Sequence, residues 1–153
     1  MMNIHKKKNS GFSLLELLIV LAIMAFVARI ITLSLVSFNS DQSVDKTTLT
    51  LLAVLDSAQS TARASKNAAN QGVRIYSNQI VAFEGTYGTK NSTTTLSSLV
   101  TISTSTGIGT DIIFQNLTGF TTSASGTITI SQKNNPAKNQ VIQVYTTGII
   151  EKK

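Results

Sequence analysis

Cysteine is absent from this chain of 153 residues, and the kinds of site that depend on cysteine are absent with it. The sequence therefore excludes a disulfide scaffold, a thiol nucleophile and a cysteine-ligated zinc site. The single histidine, His5, lies close to the N-terminus and offers little acid–base chemistry to a folded body. Charged residues make up 13% of the chain, well below the usual share of about 25%. No ligand set for a metal ion or cofactor is recognisable, so none is predicted.

The positive charge of the chain lies partly in its first residues. The net charge is +6, from 13 Lys and Arg against 7 Asp and Glu, and Lys6, Lys7 and Lys8 supply three of the cations. Without residues 1–11 the balance is 10 cations minus 7 anions, or +3. A strongly basic nucleic-acid-binding domain would carry its charge in the folded body. The composition alone therefore does not favour nucleic-acid binding.

A long apolar run follows the three lysines. Residues 12–38 contain only two charged side chains, Glu16 and Arg29. As a helix this run would be about 40 Å long, more than the roughly 30 Å hydrocarbon core of a bilayer. Lysines in front of such a segment keep the N-terminus in the cytoplasm. The sequence thus predicts a single-pass inner-membrane protein whose remaining residues lie outside the cytoplasm.

Three interpretations of this run compete, and Glu16 distinguishes them. A cleaved secretory signal would not place a carboxylate in its apolar region, and no clean Ala-x-Ala site follows near Ala25 or Ala28. A plain signal anchor explains the apolar residues but not Glu16, because a carboxylate inside a membrane helix costs about 2.5 to 3.5 kcal/mol. The third interpretation is one in which Glu16 acquires a charged partner.

The residues from Lys6 to Glu16 carry a resemblance that supplies this partner. They read Lys-Lys-Lys-Asn-Ser-Gly-Phe-Ser-Leu-Leu-Glu and resemble the class III signal of type IV pilins and type II secretion pseudopilins. The resemblance implies cleavage by a prepilin peptidase between Gly11 and Phe12, followed by N-methylation of Phe12 by the same enzyme. It also implies that Glu16 neutralises the terminal ammonium of a neighbouring subunit in a filament, since a paired buried charge costs less than a lone one. The partners implied are other major and minor pilins, bound through the N-terminal helix, and the inner membrane.

The remainder of the chain changes from a helical to a strand pattern. Apolar residues at helical spacing predict an amphipathic helix over about 45–67, with a stop at Gly72, while Asn39 to Asp45 is a bend or a weakly helical patch. Beyond Gly72 the period is two, and short strands without long helices between them predict an antiparallel, sandwich-like arrangement. The predicted strands are 73–76, 80–83, 99–103, 111–114, 126–131, 141–145 and 149–151.

These patterns together predict an α+β fold, in which a long N-terminal helix packs into a β-rich head. The expected divisions are a leader at 1–11, a membrane or filament-core helix at 12–38, an amphipathic continuation of the helix at 39–71 and the head at 72–153. This order of elements is similar to that of minor pseudopilins of the GspH/FimT type. Many major pilins have a kinking proline where Leu33 stands here, and many close a loop with a disulfide. The departures favour a minor subunit over a major one.

The head offers few residues for chemistry. Its carboxylates are Glu84, Asp111 and Glu151, and neither a nucleophile elbow nor a phosphate loop is present, so an enzyme is not expected. Residues 86–131 are rich in Ser and Thr, which suits a β-rich surface and also, as an alternative, an adhesive stalk. The resemblance implies a subunit near the filament tip that starts assembly or serves protein secretion, with secreted cargo as a partner.

The alternative function is DNA capture by a minor pilin during natural transformation. Its candidate contacts are the lysines near the loop at 133–138 and the basic tail, namely Lys133, Lys138, Lys152 and Lys153.

Overall fold

The computed structural model describes residues 13–64, 68–88 and 90–153, without the side chains of 31–37. Within these residues one helix, α1 (Leu14–Arg63), precedes eight strands. The chain divides into two compact units between Phe38 and Asn39. The strands all lie in the second unit, here called the head unit, and are β1 (Gln71–Ile75), β2 (Gln79–Glu84), β3 (Asn91–Thr95), β4 (Val100–Thr104), β5 (Asp111–Phe114), β6 (Gly126–Gln132), β7 (Asn139–Val144) and β8 (Ile150–Lys152).

Within the head unit, α1 buries one face. The buried side chains recur at alternating intervals of four and three residues, which places them in one stripe along the helix. This stripe consists of Val44, Thr48, Leu51, Leu55, Ala58 and Ala62, and Thr47 beside it is also buried. The hydroxyl of Thr48 donates to the carbonyl of Val44 at 2.9 Å, so this buried polar group is satisfied within the helix. The predicted amphipathic pattern is confirmed, and the polar patch at 39–45 is helical.

The predicted end of the helix is wrong. α1 ends at Arg63, short of the helical span expected over 39–71, and Gln71 and Gly72 already lie in β1. Ala68, three residues before β1, has a positive φ of 54°. Gly72 was interpreted as a helix stop, but its lack of a side chain serves the sheet instead. An added Cβ would lie less than 3.0 Å from three ring atoms of Phe83, whose ring covers this position.

The strands form two antiparallel sheets of four strands each. Sheet 1 has the order β3-β2-β1-β5, and sheet 2 has the order β4-β6-β7-β8. Seven of the eight strands correspond to predicted ones within two residues. The tight hairpin predicted around Ser77 and Asn78 is closed by a hydrogen bond from the backbone N–H of Tyr76 to the carbonyl of Gln79 at 2.9 Å. The predicted α+β fold with an antiparallel head is therefore confirmed.

One strand, β3, was not predicted from the sequence. β3 consists of Asn-Ser-Thr-Thr-Thr, and no residue in it is apolar. Its side chains are exposed, except that of Thr94, which is half-buried. Sequence patterns detect strands through alternating apolar residues. β3 has none, and it exists because its backbone pairs with β2 over five residues.

A single hydrophobic core joins α1 to both sheets. Leu51 and Leu55 of the helix are fully buried, as are Ile112 and Phe114 of β5. Sheet 2 contributes fully buried isoleucines at the centre of β6 and β7, namely Ile128, Ile130 and Ile142. The helix therefore provides an integral part of the core of the head unit.

We predict that Gly72→Ala lowers the free energy of unfolding of a head fragment covering 39–153 by about 1 to 3 kcal/mol, because the methyl group collides with the Phe83 ring. Thermal unfolding followed by circular dichroism measures the change. Phe83→Leu removes the three colliding ring atoms, so adding it to Gly72→Ala should cost less than the two changes summed. A strictly additive double variant would contradict the proposed collision.

Candidate assembly surfaces

The first described turn of the chain holds the carboxylate that the sequence singled out. Glu16 lies in the first turn of α1, where the backbone N–H of Leu17 donates to the carbonyl of Ser13 at 3.2 Å. A carboxylate is electrostatically favourable at a helix N-terminus. The other predicted processing residues, Gly11, Phe12 and Lys6–Lys8, lie outside the described residues.

The start of α1 exposes a continuous apolar surface. All side chains from 13 to 30 are exposed, and the large apolar ones range from 46% exposed at Val27 to 78% at Leu14. Monomeric soluble proteins rarely expose apolar patches of more than a few hundred Å². This surface therefore indicates a segment that is covered by protein or lipid.

Within the described residues, no helix combines the length and the apolar character needed to cross a bilayer. The membrane span predicted over 12–38 is not confirmed by the structure.

The four lysines predicted as DNA contacts lie at one end of sheet 2. Lys133 follows the end of β6, Lys138 precedes the start of β7, and Lys152 ends β8 with Lys153 next to it. Antiparallel pairing of β6 with β7 brings Lys133 near Lys138, while Lys152 pairs with Ile142, three residues into β7. The structure thus brings two of the four lysines close together, and it also places a carboxylate of α1 beside Lys138.

Asp41 of α1 binds two side chains at this end of sheet 2. Its carboxylate accepts from the Nζ of Lys138 at 2.7 Å and from the buried side-chain amide of Gln132 at 2.5 Å. One turn further along, Asp45 accepts from the side-chain amide of Gln140. These contacts fix the sheet to the beginning of the helix within the head unit, and they neutralise one of the four lysines.

Gln59 fixes the opposite end of the head unit. Its side-chain amide donates to the carbonyl of Gly148 at 2.8 Å and to the carbonyl of Gly119 at 3.2 Å. Nearby, the backbone N–H of Leu117 donates to the carbonyl of Ala62 at 2.9 Å. Two loops are thereby tied to the last turns of α1 through backbone atoms.

A compact polar and aromatic cluster lies on the face of sheet 1 turned away from the core. Arg74 donates to both carboxylate oxygens of Asp111, at 2.6 and 2.5 Å, and its guanidinium lies 3.7 Å from the ring centre of Tyr87. The Tyr87 ring meets Phe83 edge-on at 5.6 Å, and its hydroxyl lies 3.0 Å from that of Tyr76. Arginine and tyrosine are enriched at the centres of protein interfaces.

Neighbouring groups shift the pKa values of this cluster. The hydrogen bond from Tyr87, with a smaller contribution from Arg74, lowers the pKa of Tyr76. The same hydrogen bond raises the pKa of Tyr87. The hydrogen bonds to Asp111 raise the pKa of Arg74, so the guanidinium stays charged. The cluster thus combines the Arg74–Asp111 ion pair, whose two charges cancel, with the phenol groups of Tyr76 and Tyr87.

The three carboxylates considered for catalysis are each in contact with a partner. Asp111 pairs with Arg74, Glu84 lies 3.4 Å from the Nζ of Lys90, and Glu151 accepts from the hydroxyl of Tyr145 at 3.3 Å. The charge of Glu151 raises the pKa of Tyr145. No group of three metal-ligating side chains occurs in the part of the chain that the structure describes.

A groove with a volume of about 940 Å³ runs between α1 and sheet 1. The wall formed by α1 is mainly polar, and the opposite wall comes from the end of β3 and the residues after it. The lining includes Asn39, Gln42, Ser43, Lys46, Leu49 and Thr50 from the helix and 94–97 from the sheet. A second cavity of about 470 Å³ also includes Thr50 and continues along α1 to Thr61.

Sequence reasoning missed both the groove and the aromatic cluster. The groove depends on β3, which carries no apolar signal. The cluster depends on strand register, which places Arg74 opposite Asp111 across 37 positions of sequence. Opposite charges in two predicted strands are a weak signal, because many registers are compatible with the same pattern.

Comparison with known proteins supports this structural description. Residues 6–28 match the model of a family described as the prokaryotic N-terminal methylation motif. The fold is similar to that of the type IV minor pilin FimU of Pseudomonas aeruginosa, with a TM-score of 0.60 and 14% identity over 76% of this chain and 92% of FimU. It is also similar to EpsH, a minor pseudopilin of the type 2 secretion system of Vibrio cholerae, with a TM-score of 0.58 and 15% identity over 72% of this chain and 96% of EpsH.

A search of curated proteins gave no sequence match. The resemblance to minor pilins and pseudopilins that was predicted from the sequence is confirmed, at the N-terminus by the motif and in the remaining chain by the fold.

We predict that Asp41→Ala destabilises the head fragment more than Lys138→Ala does. The Lys138 pair is half-exposed, so its loss should cost less than about 1 kcal/mol. Loss of Asp41 also leaves the buried amide of Gln132 without its acceptor, which costs about 1 to 3 kcal/mol. Urea unfolding of the two variants measures both values. Equal destabilisation would show that Gln132 finds another partner.

Proposed function

We propose that this chain is a minor pilin or pseudopilin subunit. It is cleaved by a prepilin peptidase, held in the inner membrane with its head outside the cytoplasm, and then assembled into a type II secretion pseudopilus or a type IV pilus. Its place is at or near the tip, where it serves filament initiation or protein secretion. One observation carries the proposal: the methylation motif at 6–28 leads into a helix with exposed apolar side chains, followed by a head with a minor-pilin fold.

Processing prepares the chain for assembly. Cleavage between Gly11 and Phe12 removes the three leader lysines and creates an ammonium group at Phe12, four residues before Glu16. Methylation of this amine leaves its positive charge in place. In the filament, the ammonium of one subunit pairs with Glu16 of the next.

Pairing of Glu16 with the terminal ammonium of a neighbouring subunit favours the transfer of the helix from the membrane into the filament. Lipid tails are about as apolar as leucine, so the apolar side chains at 14–30 gain little when a neighbouring helix replaces lipid. A lone carboxylate in lipid, in contrast, costs a few kcal/mol. Pairing Glu16 with a neighbouring ammonium relieves this cost, so assembly is favoured over dispersal in the bilayer.

The head supplies the exposed surface of a subunit that occurs in few copies. The absence of cysteine and the leucine at position 33 depart from many major pilins and support a minor role. The polar contacts of Glu84, Asp111 and Glu151 suit a structural rather than a catalytic head.

DNA capture is less well supported by the surroundings of the four lysines. Lys138 is paired with Asp41, and Asp45 lies one helical turn away on the same side of the head unit. Carboxylates beside these lysines repel phosphate and weaken the electrostatic attraction on which DNA binding depends. We therefore place filament assembly first.

Mass spectrometry of the N-terminal peptide from the native membrane or filament fraction tests the proposal. The expected peptide begins with N-methylated Phe12, and Gly11→Val should abolish it, because a branched side chain obstructs the extended approach of the chain to the peptidase. An uncleaved start at Met1 or Met2 in wild-type protein would indicate a signal anchor. A start beyond residue 20 would indicate ordinary secretion, and either result would reject the proposal.

We predict that Glu16→Ala is cleaved normally but enters filaments at least tenfold less than the wild type. The removed ion pair is worth more than about 1.4 kcal/mol in an apolar interior, which corresponds to a factor of ten. Immunoblots of sheared filaments against total membrane protein provide the ratio. Glu16→Asp keeps the charge and is the matched control, expected to retain most of the incorporation. Normal incorporation of Glu16→Ala would refute the role assigned to this carboxylate.

A further inference from the structure

We propose that the free edge of β3, together with the groove along α1, receives an extended segment of another filament subunit. The segment would add to sheet 1 as a fifth strand beside Asn91–Thr95. This inference rests on the proposed function, because it takes the partner from the same filament. It assigns a binding site to the head that the assembly of the N-terminal helices does not require.

The register of sheet 1 shows which backbone groups of β3 are free. The N–H of Leu96 donates to the carbonyl of Asn78 at 2.9 Å, and the N–H of Glu84 donates to the carbonyl of Lys90 at 3.2 Å. Alternate residue pairs of an antiparallel ladder share hydrogen bonds, so Ser92 and Thr94 also face β2. The backbone groups of Asn91, Thr93 and Thr95 therefore point away from β2. Among the described residues, they have no backbone partner.

The other edge of sheet 1 is covered. The segment that follows β5 bonds along this edge: Thr122 N–H donates to the Ile113 carbonyl at 3.0 Å, and Gln115 N–H, directly after β5, donates to the Phe120 carbonyl at 2.8 Å. The hydroxyl of Ser123 donates to the carbonyl of Asp111 at 3.1 Å. This edge is already occupied by the chain itself.

The two edges of sheet 2 are also protected. The backbone N–H of Ile102 in β4 donates to the carbonyl of Ser77 at 3.4 Å, and that of Val100 donates to the carbonyl of Ser97 at 3.2 Å. β8 is three residues long and carries Glu151 and Lys152. Short length and charge are two means by which natural sheets avoid edge pairing.

β3 has none of these protections. Asn91–Thr95 includes neither a charged residue nor proline, and none of its residues has a positive φ. Threonine has a high preference for strands, and a threonine-rich edge pairs well with a second strand. The contrast with the three protected edges indicates that β3 is left open for pairing.

The groove beside β3 has the size of a peptide site. Its volume of about 940 Å³ lies at the upper end of the range of about 300 to 1,000 Å³ for ligand pockets. Such a volume accommodates a short extended segment. The exposed side chain of Leu49 and the ammonium of Lys46 offer contacts to the side chains of the added strand.

Chain continuity supports another subunit as the source of the segment. Asn39 of the groove wall is covalently next to Phe38, where the apolar run ends. A subunit that covers this run in the filament is therefore held near one end of the groove. Tethering of this kind raises the effective concentration of the segment, so that even weak strand pairing becomes populated.

The first test removes one outward donor without changing the pairing of β3 with β2. Thr93→Pro deletes the N–H that faces away from the sheet, and proline is tolerated in an edge strand at such a position. Thr93→Val keeps the N–H and is the matched control. We expect about fivefold less Thr93→Pro than Thr93→Val in sheared filaments, the effect of losing one hydrogen bond. The two full-length variants must reach equal levels in total membranes, and Thr95→Pro, which removes the next outward donor, replaces Thr93→Pro if they do not.

The second test identifies the occupant. A photo-crosslinking amino acid replaces Thr95 in the full chain in cells, and Thr106, exposed in a loop, is the control position. The expected product at Thr95 joins this chain to an extended segment of a different filament subunit. A crosslink to a second copy of this chain or to a secreted protein would overturn the inference, and so would no crosslink in filaments that contain the chain.

The two proposals fail in different ways. If the chain begins at Phe12 and is present in filaments, but Thr93→Pro incorporates like Thr93→Val, the β3 site is refuted and the proposed function stands. If wild-type chain is absent from filaments, the proposed function fails and the inference fails with it.

Discussion

The burial of one face of α1 against two sheets is the interaction on which the head depends. Leu51 and Leu55 are fully buried at the centre of this contact, and truncation of such a residue to alanine costs about 2 to 5 kcal/mol. A domain of this size has a total stability of only about 5 to 15 kcal/mol. Because the chain has no disulfide, this packing and the two ladders of backbone hydrogen bonds hold the head together. The polar contacts of Asp41 and Gln59 then set where the ends of the sheets lie along the helix.

The two ends of α1 have different surroundings. From 14 to 30 its apolar side chains are exposed, while from Val44 onward an apolar stripe faces the core of the head unit. The two stretches differ in pattern, since the first is apolar on all sides and the second on one face only. A helix that is apolar all round requires a partner on every side, whereas an amphipathic one requires only a sheet. A surface that needs to be covered and the folding of the head unit are therefore encoded in separate stretches of α1.

The sequence predicted those parts of the structure that depend on periodicity. The stripe from Val44 to Ala62 has helical spacing, and seven strands carry apolar residues, so all were found within a few residues. The end of α1 was misplaced because Gly72 was interpreted from its backbone freedom, while the structure uses its small size under the Phe83 ring. β3 was missed because backbone pairing with β2 stabilises it, and this pairing does not require alternating apolar residues in the sequence.

The same distinction applies to the candidate sites: a site in one contiguous segment was predictable, whereas a surface formed by distant segments was not. The predicted processing residues lie in one contiguous segment, which a sequence pattern can detect, and residues 6–28 match the methylation motif. The proximity of Lys133 and Lys138 follows from strand pairing and was not visible in the sequence, and neither was the contact of Lys138 with Asp41. Surfaces formed by distant segments depend on register, and a shift of one residue would move every side chain to the opposite face.

The Gln59 contacts have a consequence for how this head could diversify. Gln59 binds the carbonyls of Gly119 and Gly148, and both glycines have a positive φ that side chains rarely adopt. Neither bond involves a side chain of the loops. Their neighbours Leu117, Phe120 and Ile149 are large, apolar and at least half exposed. Mutation can therefore replace these exposed residues while the backbone beneath them keeps its position, so that one scaffold could acquire new specificities without having to find a new fold.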